Sequence, residues 1–227
     1  MTKQYNSLVI SDIHLGSKVL NHEKLLKVLN TVKFDNLIIN GDLFDDFNFH
    51  RLNTEHWTIL SKIREFTKTH KVIFIEGNHD IGAKSISDLI GTNHCTDYVL
   101  VINKKKIIIT HGQIFDYYII YQPFITWLFT GIYYLIQKFG GKRQRMALFL
   151  KHKSKTWLKI HEKLRVRAIK FAKNHSGNVI LCGHSHIAES HKDEDSNILY
   201  INSGSFCDKI CHFITIDKSG NCELKEI

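Results

Sequence analysis

Five short motifs contain residue types that bind divalent metals or transfer protons, and each one follows an apolar run. In chain order they are Ser11-Asp12-Ile13-His14, Gly41-Asp42-Leu43-Phe44-Asp45, Gly77-Asn78-His79-Asp80, His111-Gly112 and Gly183-His184-Ser185-His186. Imidazole and carboxylate ligands together suit Mn, Fe or Zn, and they need no thiolate. Two such ions about 3.5–4 Å apart can hold a phosphoryl group and activate a water molecule. The motifs therefore predict a dinuclear metal centre that acts on phosphate esters.

The apolar runs in front of the motifs are typical of buried strands. We predict strands at 7–10, 37–40, 72–75, 98–102, 106–110, 179–182, 198–201 and 212–216, and helices at 22–33 and 53–69. This alternation predicts an α/β fold with a largely parallel sheet, in which ligands bind beyond the carboxyl ends of the strands. At an extended strand end, Asp12 and His14 would project to the same side and reach one ion. All five motifs are therefore expected at one rim.

The ordered set DxH, GDxxD, GNHD, HG and GHxH resembles the calcineurin-like metallophosphoesterase superfamily. The resemblance covers residues 12–186 and implies a sandwich of two mixed β-sheets flanked by helices, with a helical insertion that forms a lid. It also implies that two divalent ions are bound, with Mn expected and Fe, Zn or a mixed pair as alternatives. The implied ligands are Asp12, His14 and His186 for one ion, Asn78, His111 and His184 for the other, and Asp42 for both.

The same resemblance implies a catalytic role for His79, as general acid or charge stabiliser for the leaving oxygen. Asp45 matches the carboxylate that orients this histidine in related phosphatases, and Asp80 is a second candidate for that task. His50 and Arg51 follow the second motif and are candidates for substrate binding. The remaining histidines on predicted helices or at their ends are expected to be solvated: His22, His56, His70, His152, His161 and His175.

Composition narrows the class of protein. The chain has 227 residues, 43% of them hydrophobic and 23% charged, which excludes a disordered or collagen-like chain. Its five cysteines include no CxxC pair, so a disulfide framework and a thiolate zinc site are not expected. The N-terminal residues lack the layout of a signal peptide. We expect a cytoplasmic protein.

One segment departs from this ordinary composition. Residues 117–137 carry no charge and include eight aromatic side chains, whereas residues 138–173 contain thirteen Lys or Arg and one acid, a net charge of +12. We predict a core formed by residues 1–116 and 174–227, interrupted by a helical insertion at 117–173. Two interpretations stay open: a helix pair packed on the core, or an element at a membrane surface with basic residues near anionic lipid.

An insertion between HG and GHxH, followed by the closing residues 198–205, is similar to the UDP-2,3-diacylglucosamine pyrophosphatase-like branch. The branch implies hydrolysis of a lipid-linked pyrophosphate by metal-activated hydroxide, at the cytoplasmic face of the inner membrane. Two positions depart from it, because that branch carries arginine in place of His79 and aspartate in place of Gln113.

Three alternatives differ in class. The first is a soluble phosphoesterase for phosphoproteins, nucleotides or small phosphates, whose insertion is only structural. The second is a nuclease, because a +12 segment could follow a phosphate backbone. Nucleic acid is not the expected partner, since the basic residues are not interleaved with aromatic ones. The third is a non-catalytic scaffold, which the complete set of ligand residues disfavours. The oligomeric state is not predicted.

Overall fold

The computed structural model of the chain describes residues 3–117 and 155–227. The strands in these ranges are β1 (Gln4–Ile10), β2 (Lys33–Asn40), β3 (Lys71–Ile75), β4 (Asn93–Cys95), β5 (Asp97–Ile102), β6 (Lys105–Thr110), β7 (Val179–Cys182), β8 (Glu189–Lys192), β9 (Leu199–Asn202), β10 (His212–Ile216) and β11 (Cys222–Glu226). The α-helices are α1 (His22–Thr31), α2 (Thr54–Phe66), α3 (Ala83–Ile90) and α4 (Lys155–Asn174). Two short 3-10 helices span Phe49–Arg51 and Gln113–Phe115.

The strands form two mixed sheets. The first sheet has the order β11-β10-β1-β2-β3-β4, in which β1 to β4 run parallel and β10 and β11 run antiparallel to their neighbours. The second has the order β5-β6-β7-β9-β8, with β6, β7 and β9 parallel and an antiparallel strand at each edge. The predicted α/β sandwich of two mixed sheets is confirmed. The alternation of elements indicates a largely parallel sheet, and the structure has parallel central strands in both sheets, whereas β5, β8, β10 and β11 pair antiparallel.

Three apolar layers hold the sandwich together, and alternation along the strands assigns residues to them. Val9, Ile38 and Ile73 pack between the two sheets with Ile109 and Leu181. Their neighbours along β1, β2 and β3 point to the opposite face, where they pack with α1, α2 and α3. The outer face of the second sheet packs against α4. Because the central strands are buried on both faces, they read in the sequence as continuous apolar runs.

Several elements are absent from the prediction. Strands β4, β8 and β11 are short and rich in polar residues, and each lies at or near an edge where one side is solvated. Helix α3 follows the third motif directly and is only eight residues long. Such elements carry little hydrophobic periodicity of their own, so their formation depends on pairing and packing with the rest of the fold.

Helix α4 shows how the end of the predicted insertion relates to the core. Its buried residues Leu164, Ala168 and Ala172 pack against Ile108 of β6 and Tyr200 of β9. The basic residues of the helix are mostly on its exposed face. The domain boundaries at 117 and 173 stay a prediction, and residues 118–154, with His152 and most of the aromatic segment, lie outside the described part. Within that part, no helix is both long and apolar enough to cross a membrane.

Candidate metal centre

Two tight turns, each at the carboxyl end of a strand, carry four of the predicted ligands. After β1, Asp12 and His14 have φ angles of 51° and 52°, and after β7, His184 and His186 have φ angles of 68° and 60°. This left-handed conformation is costly for residues other than glycine and is characteristic of functional sites. The extended backbone expected at residues 12–14 is therefore wrong. Left-handed turns bring the paired side chains to one centre instead.

The first group of predicted ligands is in place. His186 Nε2 lies 3.2 Å from Asp12 Oδ1 and 3.1 Å from His14 Nε2. His14 Nε2 lies 3.8 Å from Asp42 Oδ2. These four residues offer ligand atoms that all lie within 4.8 Å of one another. Asp12, His14 and Asp42 are buried, so one cation at this point would be shielded from bulk water.

The second group meets the first at Asp42. His111 Nε2 lies 3.3 Å from Asp42 Oδ2, and His184 Nδ1 lies 2.8 Å from Asn78 Oδ1. Asp42 follows Gly41, whose φ is 80° and where any side chain would overlap the ring of His111. The Asp42 carboxylate thus lies between His14 of the first group and His111 of the second. This is the place required of a ligand shared by two ions.

The orientation of the buried ring nitrogens indicates that the donor atoms fit divalent metals. His111 Nδ1 donates to the Asn40 carbonyl at 2.8 Å, which leaves the Nε2 lone pair facing the Asp42 carboxylate. Among the residues that the structure describes, the buried atoms His111 Nε2 and His14 Nδ1 have no hydrogen-bond partner. Lone pairs that face one another in a buried site are unfavourable unless a cation lies among them. The residues present therefore suit metal ions held by imidazole and carboxylate groups.

The pKa values of Asp12, His14 and His111 also reflect the close packing of charged groups in this cluster. Burial opposes ionisation of Asp12, but the neighbouring His111 and His186 outweigh it and lower the pKa of Asp12 to about 2. Burial lowers the pKa of His14 to about 4. For His111, burial also favours the neutral form, but the charges of Asp42 and Asp12 raise its pKa to about 10, so without a metal ion a proton on Nε2 would compensate the Asp42 charge. The carboxylates are thus ionised and draw positive charge into the centre.

His79 lies beside this cluster. Its Nδ1 donates to the main-chain carbonyl of Asp45 at 2.8 Å, and its backbone N–H donates to Asp42 Oδ1 at 2.9 Å. Its ring stands edge-on to that of His14, with centroids 5.0 Å apart. Burial would lower the pKa of His79, but the charge of Asp42 and the Asp45 carbonyl more than compensate, so the pKa is raised. With Nδ1 engaged, Nε2 is the ring atom left to face a ligand.

The sequence of this chain matches a known protein family. Residues 5–188 match the family described as calcineurin-like phosphoesterase. The chain belongs to this family. The match spans all five motifs, and the sandwich and the Asp/His cluster agree with it.

Solved structures show the same fold at low sequence identity. An archaeal phosphodiesterase matches with a TM-score of 0.52 and 15% identity, covering 97% of this chain and 99% of that one. Vps29 of Chaetomium thermophilum matches with a TM-score of 0.51 and 13% identity, covering 100% of this chain and 97% of that one. No curated protein matches the sequence. These likenesses establish the fold, and the resemblance to the UDP-2,3-diacylglucosamine pyrophosphatase branch stays a prediction.

Asp45 and Asp80, the two residues predicted to orient His79, differ in their contacts. The Asp45 carboxylate lies 2.7 Å from Arg51 Nη2 and 3.6 Å from His14 Nδ1, while its main-chain carbonyl holds His79. Asp80 accepts from the backbone N–H groups of Gly77 and Phe44. Burial and the charge of Asp42 raise the pKa of Asp80 to about 7. Asp45 therefore contacts His79 directly, whereas these two contacts of Asp80 hold its loop.

The two candidate substrate-binding residues occupy the 3-10 helix Phe49–Arg51. His50 is exposed there. The Arg51 guanidinium forms ion pairs with both Asp45 and Asp46. Burial opposes the charge of Arg51, but these carboxylates outweigh it and raise its pKa. The structure thus places Arg51 next to Asp45, and the substrate role of His50 and Arg51 stays a prediction.

One residue of the site is missing from the sequence prediction. Asp116 is buried, and its Oδ2 lies 3.0 Å from His184 Nε2. A carboxylate that accepts from one ring nitrogen fixes the tautomer and leaves the other nitrogen free for a metal. Here the other nitrogen is Nδ1, which faces Asn78. The only sequence signal was an acid four residues after the HG motif, and it has no distinctive spacing.

Two histidines expected to be solvated are buried instead. His56 Nδ1 accepts from Gly16 N and from Asn53 N, so it closes the N-terminal cap of α2. His161 of α4 contacts Ser185 and Glu189. Both rings satisfy polar groups close to the turns that carry His14 and His186. His22 and His70 are partly exposed and His175 is exposed.

Proposed function

We propose that the chain is a dinuclear metal-dependent phosphoesterase. The observation that carries the proposal is the position of Asp42 between two groups of candidate ligands, with His79 beside them. The first group is Asp12, His14 and His186, and the second is Asn78, His111 and His184. When bound, two divalent ions would neutralise phosphoryl oxygens and lower the pKa of a water molecule.

Separate side chains retain the cations, transfer a proton and orient a ligand. The buried carboxylates of Asp12 and Asp42 supply negative charge that retains the cations. His79, oriented through Nδ1 by the Asp45 carbonyl, holds a proton at Nε2 for the oxygen of the leaving group. Asp116 holds the ring of His184. These roles require no covalent bond between the protein and the substrate.

For the substrate we propose a lipid-linked phosphate or pyrophosphate, such as a UDP-2,3-diacylglucosamine-like molecule, met at a membrane surface. Exposed apolar side chains border the loop that carries His79. Phe47 and Phe49 lie with ring centroids 5.5 Å apart, and Ile81, which precedes Gly82 in the His79 loop, is 74% exposed. A side chain at Gly82 would lie 3.1 Å from the Phe47 ring, so both loops contribute to this apolar border. Such a surface suits the apolar part of a substrate.

The first experiment is a hydrolysis assay on the Mn²⁺-loaded chain, with and without EDTA. UDP-2,3-diacylglucosamine is compared with p-nitrophenyl phosphate and with its bis-ester. We expect EDTA-sensitive hydrolysis, which Asp12→Asn abolishes and Asp35→Asn leaves unchanged, because Asp35 is a partly exposed residue paired with Lys218. Hydrolysis that EDTA does not affect would contradict the dinuclear mechanism.

The same assay separates the substrate classes. Release of UMP would support the lipid-linked substrate. The paired change of Phe47→Ser and Phe49→Ser should then reduce UMP release far more than hydrolysis of the bis-ester. Leu89→Ser on α3, where the side chain is 80% exposed, is the matched control. Equal loss on both substrates would contradict an apolar contact with the lipid, and ester hydrolysis without UMP release would leave the soluble phosphoesterase as the function.

A further inference from the structure

A line of buried polar side chains connects α4 to the turn that carries His184 and His186. His161 Nδ1 lies 2.8 Å from Ser185 Oγ, and His161 Nε2 lies 2.8 Å from Glu189 Oε2. The other Glu189 oxygen pairs with Arg165. One turn earlier on the helix, Trp157 Nε1 donates to the Ser185 carbonyl at 3.2 Å. Helix α4 therefore holds both the side chain and the main chain of Ser185.

The donors and acceptors of this line can be assigned. Ser185 Oγ accepts from Asn202 Nδ2 at 3.1 Å and from Ile187 N at 3.4 Å, which occupies its two lone pairs. The Ser185 hydroxyl must then donate to His161 Nδ1. The proton of the neutral ring is consequently on Nε2, where it donates to Glu189. With this assignment, in which Asn202 Nδ2 also donates to the Gly183 carbonyl at 2.6 Å, the line fixes one orientation of Ser185.

The order Ser185, His161, Glu189 matches that of a nucleophilic triad, but its position does not. Ser185 is 1% exposed and His161 is 5% exposed. A nucleophile has to reach the substrate, and the Ser185 hydroxyl is enclosed by the groups that it bonds. The two neighbours of Ser185 are predicted ligands in left-handed conformation. Such a backbone persists only where surrounding contacts determine it. The contacts of Ser185 are thus placed to maintain the ligand turn.

We propose that His161 is a positioning residue for the metal centre, acting through Ser185 on His184 and His186. The inference rests on the proposed dinuclear centre and adds a residue outside its five motifs. It also assigns a role to α4: the helix at the end of the predicted insertion holds one of the two ligand turns in register with the other. Loss of the His161 ring leaves the Ser185 hydroxyl without its acceptor, and the turn then loses its fixed geometry.

The test measures Mn²⁺ binding by calorimetry on the EDTA-treated full chain. His161→Ala and Ser185→Ala should each weaken binding about tenfold. The double variant should bind no more weakly than either single variant, because both remove the same interaction. His161→Asn keeps an acceptor near the Nδ1 position and should restore wild-type affinity. Leu164→Ala is the matched control, since it removes a buried side chain of the same helix that packs on the sheet.

Each outcome decides the proposal. Wild-type affinity in folded His161→Ala or in folded Ser185→Ala would overturn it. A loss of affinity in Leu164→Ala as large as that in His161→Ala would also overturn it, because general loosening of α4 would then explain both. A wild-type chain that binds no Mn²⁺ would overturn the dinuclear centre together with this inference. Normal wild-type binding with unaffected variants overturns the role of His161 alone.

Discussion

The two ligand turns have the same backbone design and opposite means of support. Each places two left-handed ligand residues around a central buried residue, which is Ile13 in the first turn and Ser185 in the second. Ile13 is fully buried in the apolar cluster under the first sheet. Ser185 donates a hydrogen bond to His161 of α4 and accepts one from Asn202 of β9. The central residue of the first turn is therefore held by packing, and that of the second turn by polar contacts.

The difference follows from the neighbours of each turn. After β1, the N–H groups of Ile13 and His14 both donate to the Asp42 carbonyl at 3.0 Å, so the backbone after β2 braces the first turn. After β7, His184 N donates to the Asp12 carboxylate. The second turn also has a main-chain bond from Gly183 N to the His111 carbonyl at 2.9 Å, but many of its contacts are to side chains, including one from the first turn. Its geometry is open to change by single substitutions, whereas the first turn is determined mainly by main-chain pairing.

The largest expected effect comes from the residue that both ligand groups share. Asp42→Ala removes the carboxylate between His14 and His111, and its loss should leave neither group able to retain its ion. A single acid–base group contributes at most about 10⁴-fold to the rate. Activity on the bis-ester should fall by more than this. Metal content after gel filtration, measured by elemental analysis, should fall with it. Full metal content in a folded Asp42→Ala chain would contradict the shared position.

A smaller effect is expected at His79, which contacts the cluster and is not assigned as a ligand. His79→Ala should lower kcat about 100- to 1,000-fold and leave both metals bound, because the ring serves the leaving group. The comparison of kcat with metal content separates it from Asp42→Ala. A parallel loss of metal and activity would show instead that His79 belongs to the ligand set.

Packing and polar support can be separated at the first turn. Ile13→Ala should lower the free energy of unfolding by about 2–5 kcal/mol, through lost burial and the cavity left behind. The affinity for Mn²⁺ should stay unchanged in the folded fraction, since the main-chain bonds to the Asp42 carbonyl remain. Ile63→Ala on α2 is the control of similar burial. Weakened Mn²⁺ binding in Ile13→Ala alone would remove the contrast between the turns.

The same contrast explains how far the sequence could be interpreted. The candidate ligands from Asp12 to His186 could be proposed from the sequence because each motif follows a strand whose last residues are buried and mostly apolar. His161 and Asp116 were not predictable, since their roles depend on contacts across 24 and 68 residues of sequence. A lone buried histidine on a basic helix has the same local pattern as a solvated one. Edge strands β8 and β11 were missed for a related reason, because their stability comes from neighbouring strands.

The smallest effect concerns Glu189, the outer member of the polar support. Burial would raise its pKa, but the hydrogen bond from His161 and the charge of Arg165 outweigh this, so its pKa lies below the ordinary 4.5. A carboxylate with a lowered folded-state pKa stabilises the fold above the unfolded-state value, and this contribution is lost as the pH falls through the folded-state pKa.

Glu189→Gln should therefore reduce stability at pH 7 by no more than about 1 kcal/mol, because the carboxylate is partly solvated. The difference between variant and wild type should shrink below pH 4.5, where the wild-type group begins to take up its proton. Urea unfolding of metal-free protein at pH 3.5 and pH 7 measures both quantities. A difference that does not change with pH would show that Glu189 supports the second turn by its shape and not by its charge. The second turn would then depend on the shape of its supporting side chains, as the first turn depends on the packing of Ile13.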